Sequence, residues 1–139
     1  VDDIFGLEAC EAVIPWGQVP ALVAAVVALG FAVPSVVMAL AHSPRALRFA
    51  FLALALSAVP VGIGAVARYR LRETVDRELP SPGRSPEERE FFRIAGYHAA
   101  DDCLVSHSVP TVFPALFSFI ALRIVFREES KLSRSGLRF

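Results

Sequence analysis

Three long stretches of this sequence lack charge. Residues 19–41 and 49–67 contain no Asp, Glu, Lys or Arg, and neither does the interval between Asp102 and Arg123. A helix on the surface of a soluble domain keeps a charged face, so uncharged runs of this length argue against a soluble core and for a bilayer. Lysine is almost missing as well: Lys131 is the only one, and every other basic residue is arginine. With the heavy use of alanine and valine, that bias suits a GC-rich bacterial genome. The formal net charge is zero, so no long-range field favours nucleic acid or another polyanion. The two cysteines form no CxxC, which removes the zinc-ribbon and thioredoxin-type motifs. GxGxxG, Walker A and HExxH patterns are missing too, and with them the usual signs of dinucleotide, phosphate or zinc-protease chemistry. Val1-Asp2-Asp3 carries none of the positive charge of a secretory leader. No internal repeat, catalytic residue or cofactor can be assigned from these patterns.

What remains is a chain more than half hydrophobic, 55%, whose apolar residues fall into three runs bounded by charges. About 20 apolar residues in a helix cross a bilayer, and the spacing predicts spans over about 19–41, 46–67 and 103–126. Trp16 suits the headgroup level before the first span, and Pro20 suits a first helical turn, where its missing N–H costs little. Pro34 lies inside that span and removes the bond to the Gly30 carbonyl, which predicts a kink. Ser43 and Pro44 then supply an N-cap and a first helical residue for the second helix. Along that helix Ala46, Ala50, Ala53, Ser57, Pro60, Gly64 and Ala67 recur in alternating steps of four and three. Such a stripe of small residues lets two helix backbones approach closely, which is how membrane helices gain packing energy. Ala50, Ala53, Ser57 and Gly64 are its packing candidates.

The second helix is expected to continue past the membrane, because nothing breaks it between Arg68 and Pro80. Leu71, Val75 and Leu79 give it an apolar edge, and Arg72 with Asp76 and Glu73 with Arg77 are pairs four apart. Residues 80–85, rich in Pro, Ser and Gly, are the one clear linker. Ser85-Pro86-Glu87-Glu88 then reads as a capping box with proline at the first helical position. The pattern therefore predicts a charged helical hairpin over about 68–102, outside the bilayer, followed by the third span and a polar tail over 127–139. The whole, 1–139, reads as a single membrane domain: all-α, with three transmembrane helices and the hairpin between the second and third.

The chemistry-bearing residues cluster in 96–114. His107 lies about a turn inside the third span, and an ionisable group there is a functional candidate by default. Thr111 and Ser118 share that span as buried polar or pore candidates, and Pro110 and Pro114 free carbonyls that nearby hydroxyls could satisfy. His98 stands three and four residues from Asp101 and Asp102, a spacing open to a shared metal, with Cys103 as a further ligand, or to a hydrogen bond between histidine and carboxylate. Cys10 and Cys103 fall on the same side of the membrane, each just before a crossing, so a disulfide between them is open if that side is oxidising. Arg45 and Arg48 follow the first span and no base precedes it, which favours an N-terminus outside a bacterial inner membrane.

Several stretches resemble the short three-span proteins of the bacterial MotA/TolQ/ExbB proton-channel group. They are Trp16-Gly17-Gln18-Val19-Pro20, the tight basic turn after the first span, Gly62-Ile63-Gly64, and Gly96-Tyr97-His98-Ala99-Ala100-Asp101-Asp102-Cys103-Leu104 followed by Pro114. The resemblance implies oligomeric helices lining a pore with hydroxyl side chains, the essential carboxylate coming from a partner subunit. Thr111 and Ser118 would be the hydroxyls. From the residues themselves, the leading expectation is a non-catalytic membrane subunit that packs into a homo- or hetero-oligomer. An ion-conducting oligomer and a metal-binding or redox accessory subunit are the alternatives. The expected partners are the lipid bilayer, further copies or other membrane subunits, and no nucleic acid.

Overall fold

A computed structural model of the chain describes residues 15–80 and 82–136. All regular structure among them is helical: α1 (Gln18–Leu40), α2 (Arg45–Glu78), α3 (Pro86–Ser108), a 3₁₀ turn (Val109–Thr111) and α4 (Val112–Arg134). Among the described residues three segments are long and apolar enough to cross a membrane: Gln18–Leu40, Arg45–Glu78 and Pro86–Arg134.

Local chemistry explains the ends. α1 stops at a turn in which His42 takes a left-handed φ of 55°. The Ser43 N–H then reaches the Met38 carbonyl at 2.9 Å and the His42 N–H the Ala39 carbonyl at 3.1 Å, the paired bonds of a Schellman cap. α3 begins with the capping box that the sequence predicts. The Glu88 N–H donates to Ser85 Oγ at 3.2 Å, and the Ser85 N–H donates to Glu88 Oε2 at 2.9 Å. The prolines act unequally. Pro34 and Pro60 lie inside α1 and α2 without ending them, whereas Val109–Thr111, which contains Pro110, tightens to a 3₁₀ turn between α3 and α4. The polar end of the chain is also more regular than expected, since α4 runs on to Arg134 with Ser135 as its cap.

The hydroxyls near the prolines do something other than the sequence suggests. Ser35, Ser57, Ser108 and Ser118 donate to the carbonyls of Ala32, Ala53, Leu104 and Pro114. None of those carbonyls is one that a proline frees. A serine on a helix reaches the carbonyl three or four residues back more easily than any other acceptor, and that local geometry decides the pairing.

Packing divides the chain into two units. One holds Val1–Leu22 with Pro60–Pro110, the other Val23–Val59 with Thr111–Phe139. In the second, the buried positions are small. They are Ala24, Ala25, Ala28, Ala32, Ser35 and Ala39 of α1, Ala46, Ala50, Ala53 and Ser57 of α2, and Thr111, Pro114, Ser118 and Ala121 toward α4. Large apolar side chains on the same helices are exposed instead, among them Val26, Val37, Phe51, Phe113, Leu116 and Phe119. This is the reverse of a water-soluble core and the arrangement a hydrocarbon solvent permits. Phe31 and Phe49 add an edge-to-face contact at 5.5 Å.

In the first unit, α2 and α3 pack antiparallel across the 79–85 turn. Ala67 and Cys103 form its buried centre with Leu71 against them. The backbones come close at Gly64. A Cβ there would stand 3.0 Å from His107 Cβ, 3.2 Å from Leu104 Cα and 3.4 Å from the Cys103 carbonyl oxygen. Two of these neighbours are backbone and cannot rotate away. Further along, Val75 fills the space over Gly96, where any Cβ would collide with its methyls. Gly62, two residues from Gly64, faces open space.

The two glycines therefore make a controlled pair. Gly64→Ala should destabilise the protein by about 1–2 kcal/mol, overpacking outweighing the gain in helix propensity. Gly62→Ala should be neutral or stabilise by up to about 1 kcal/mol. Unfolding of both in detergent micelles checks this, and equal shifts for the two would refute close packing at Gly64.

Candidate functional site

The residues singled out in 96–114 separate into two groups on α3. One faces α2 among charges, the other faces a cleft beside α1.

In the charged group, Asp101 is the centre. Arg68 Nε donates to Asp101 Oδ1 at 2.7 Å and an Arg72 Nη to the same oxygen at 2.9 Å. Arg72 also lies over the Tyr97 ring, 4.8 Å from its centroid, and the Tyr97 hydroxyl donates to Asp76 at 2.7 Å. One of the two sequence pairings changes as a result. Glu73 and Arg77 do pair, but Arg72 and Asp76 each turn to α3, which offers Arg72 both a carboxylate and an aromatic face. Burial pushes the Asp101 carboxyl up, but the hydrogen bonds and charges of Arg68 and Arg72 together outweigh it and hold it below the usual carboxylate range. Tyr97 is raised, first by its bond to Asp76 and then by burial.

These contacts leave little for a metal. Asp101 is occupied by two guanidiniums, His98 and Asp102 are exposed, and Cys103 is disulfide-bonded. Among the described residues no three His, Cys, Asp or Glu side chains come together as a ligand set. Cys10, the only other cysteine of the sequence, lies outside the described residues.

The second group is built on His107, which is 6% exposed. Its Nδ1 lies 2.9 Å from the Cys103 carbonyl, one turn back. A carbonyl only accepts, so Nδ1 carries the hydrogen. Ser106 Oγ donates to the same carbonyl at 3.0 Å. His107 lines a cleft of about 190 Å³ together with Gln18, Ala21, Leu22, Ser106 and Pro110. Gln18 and Ala21 were not predicted as site residues. Their signal was in the sequence: Gln18 is the only carboxamide in the chain, and it opens an uncharged helix.

Thr111 and Ser118 are buried, and Ser118 turns back on the Pro114 carbonyl. Ala50, Ala53, Ser57 and Gly64 all lie on the buried side of α2. No protein-family model, curated protein or solved structure matches the chain.

The Asp101 cluster predicts a pH dependence. Its folded-state value is depressed, so its contribution is complete above the unfolded carboxylate value of about 3.9 and is lost as pH falls through the folded value. Because Asp101 and both arginines are partly exposed, the cluster is worth about 1 kcal/mol. Asp101→Asn should weaken protection of the amides in 68–79 at neutral pH by about that amount. It should also flatten the loss of protection on acidification below pH ~4. A variant with the acid profile of the parent would show that Asp101 is not the titrating group.

Proposed function

We propose that the chain is a small, non-catalytic integral membrane subunit that assembles with copies of itself or with other membrane subunits. Its three spans cross a bacterial inner membrane, and the α2–α3 hairpin projects from one side. Lengths support this. At 1.5 Å per residue, the 34 residues of α2 extend about 51 Å, against a hydrocarbon core of about 30 Å. About 20 Å of α2 must leave the core, and its charges lie from Arg68 onward.

The observation that carries assembly is on the hairpin. Phe91 and Ile94 are 76% and 49% exposed and lie three residues apart, on one face of α3. They stand roughly 18 Å and 14 Å beyond Cys103 along the helix, past a headgroup layer of about 5–8 Å. Lipid does not cover a phenyl group there, and burial against a protein partner contributes about 1.5–3 kcal/mol per large apolar side chain. The hydroxyl-lined pore that the family resemblance suggests has less support, since Ser35, Ser57 and Ser118 are buried and bonded to their own helices.

Orientation with the N-terminus and hairpin outside is supported by the disulfide at Cys103, because disulfides persist on oxidising sides of membranes. Pairing of Cys103 with Cys10 fits that reading. Arg45 and Arg48 then lie in the cytoplasmic turn.

Phe91→Glu with Ile94→Glu should shift the protein toward monomer in mild detergent, read by light scattering, with unfolding unchanged. An unaltered assembly state would remove the hairpin from the interface, and a parent that is already monomeric would remove self-assembly. For orientation, Arg89→Cys should react with a membrane-impermeant maleimide in intact cells and Ser133→Cys only after lysis. The opposite pattern inverts the topology.

A further inference from the structure

The cleft beside His107 has a chemistry that assembly does not use. With Nδ1–H donated to the Cys103 carbonyl, Nε2 is the acceptor of that tautomer. Nothing among the described residues bonds Nε2. The residue is nine-tenths buried yet lines an open cleft, so a molecule entering the cleft can supply the donor that the protein does not.

The rest of the cleft narrows what that donor belongs to. Gln18 adds a carboxamide able both to donate and to accept, and Ala21, Leu22 and Pro110 are apolar. No formal charge lines the cleft, which disfavours an ion. Leu22 is 61% exposed, and Val109, beside Pro110, is 51% exposed, so the rim is apolar too and a ligand can arrive from the hydrocarbon phase. At about 190 Å³ the space falls below the roughly 300–1,000 Å³ of pockets for drug-sized molecules and suits a single ring.

We propose that this cleft binds the phenolic headgroup of a small lipid-phase molecule. Its hydroxyl donates to His107 Nε2, its oxygen accepts from the Gln18 carboxamide, and its ring lies against Leu22 and Pro110. The site is complete within one chain, so it stands apart from the assembly reading and survives the failure of that reading.

The test uses the full chain in phosphatidylcholine nanodiscs with ¹⁵N-labelled histidine. 4-Propylphenol should bind saturably and shift the Nε2 resonance of one histidine. 4-Propylanisole, the same shape without the donor, should bind about tenfold more weakly. Equal binding of the ether would overturn the hydrogen bond, and a phenol that only partitions, without saturation or shift, would overturn the site. Leu22→Trp fills the mouth from an exposed position and so keeps the fold; it should abolish saturable binding, and undiminished binding would place the ligand elsewhere. His107→Phe keeps the ring and lacks Nε2. It should erase the preference for phenol over ether, and a retained preference would remove His107 as the acceptor.

Discussion

Close approach of helix backbones through small side chains is the constraint on which the rest of this structure depends. In hydrocarbon, apolar side chains gain nothing from leaving the solvent, so helices hold together by dispersion and by contacts that only short distances allow. Gly64 marks the limit of that approach, with the Leu104 Cα and the Cys103 carbonyl where its own side chain would be. The His107 Cβ lies at the same approach, 3.0 Å from where a Cβ at residue 64 would stand.

Beyond the uncharged lengths the chemistry of contact changes. The α2–α3 pair continues, but Ala67 and Cys103 give way to Arg68, Arg72, Asp101, Tyr97 and Asp76. Val75 over Gly96 keeps the interlocking of the span. Arg72 and Asp76, which could have paired along α2, bond across the pair instead, while Glu73 and Arg77 keep to their own helix. One carboxylate against two guanidiniums also leaves the buried Arg72 Nε without a partner. That imbalance is tolerable near water, where the exposed parts of both arginines stay solvated.

Much of the fold was legible because its signals are local or periodic. Uncharged runs locate the spans, Ser85 and Glu88 start α3, and steps of four and three pick out the buried face of α2 from Ala46 to Ala67. The equivalent face of α1, through Ala21, Ala25, Ala28, Ala32, Ser35 and Ala39, has the same period. It was harder to see, because alanine and valine are so common there that the stripe barely stands out. The candidate site was legible in part. His107 was identifiable as an ionisable residue in an uncharged span, and its bond to the Cys103 carbonyl is local, whereas its cleft depends on Gln18, Ala21 and Leu22, more than eighty residues away in the sequence.

The sequence alone determined that the chain is helical, where it becomes uncharged for a membrane thickness, and which face of α2 is buried. Each follows from composition, period and capping within a few turns. Only the tertiary structure decided that Arg72 and Asp76 abandon each other for α3, that Gly64 rather than Gly62 meets the neighbouring backbone, and that His107 shares a cleft with Gln18, Ala21 and Leu22. Those outcomes depend on the distance and rotation between helices distant in sequence. A pairing four residues apart yields whenever a neighbouring helix brings a better partner within about 3 Å.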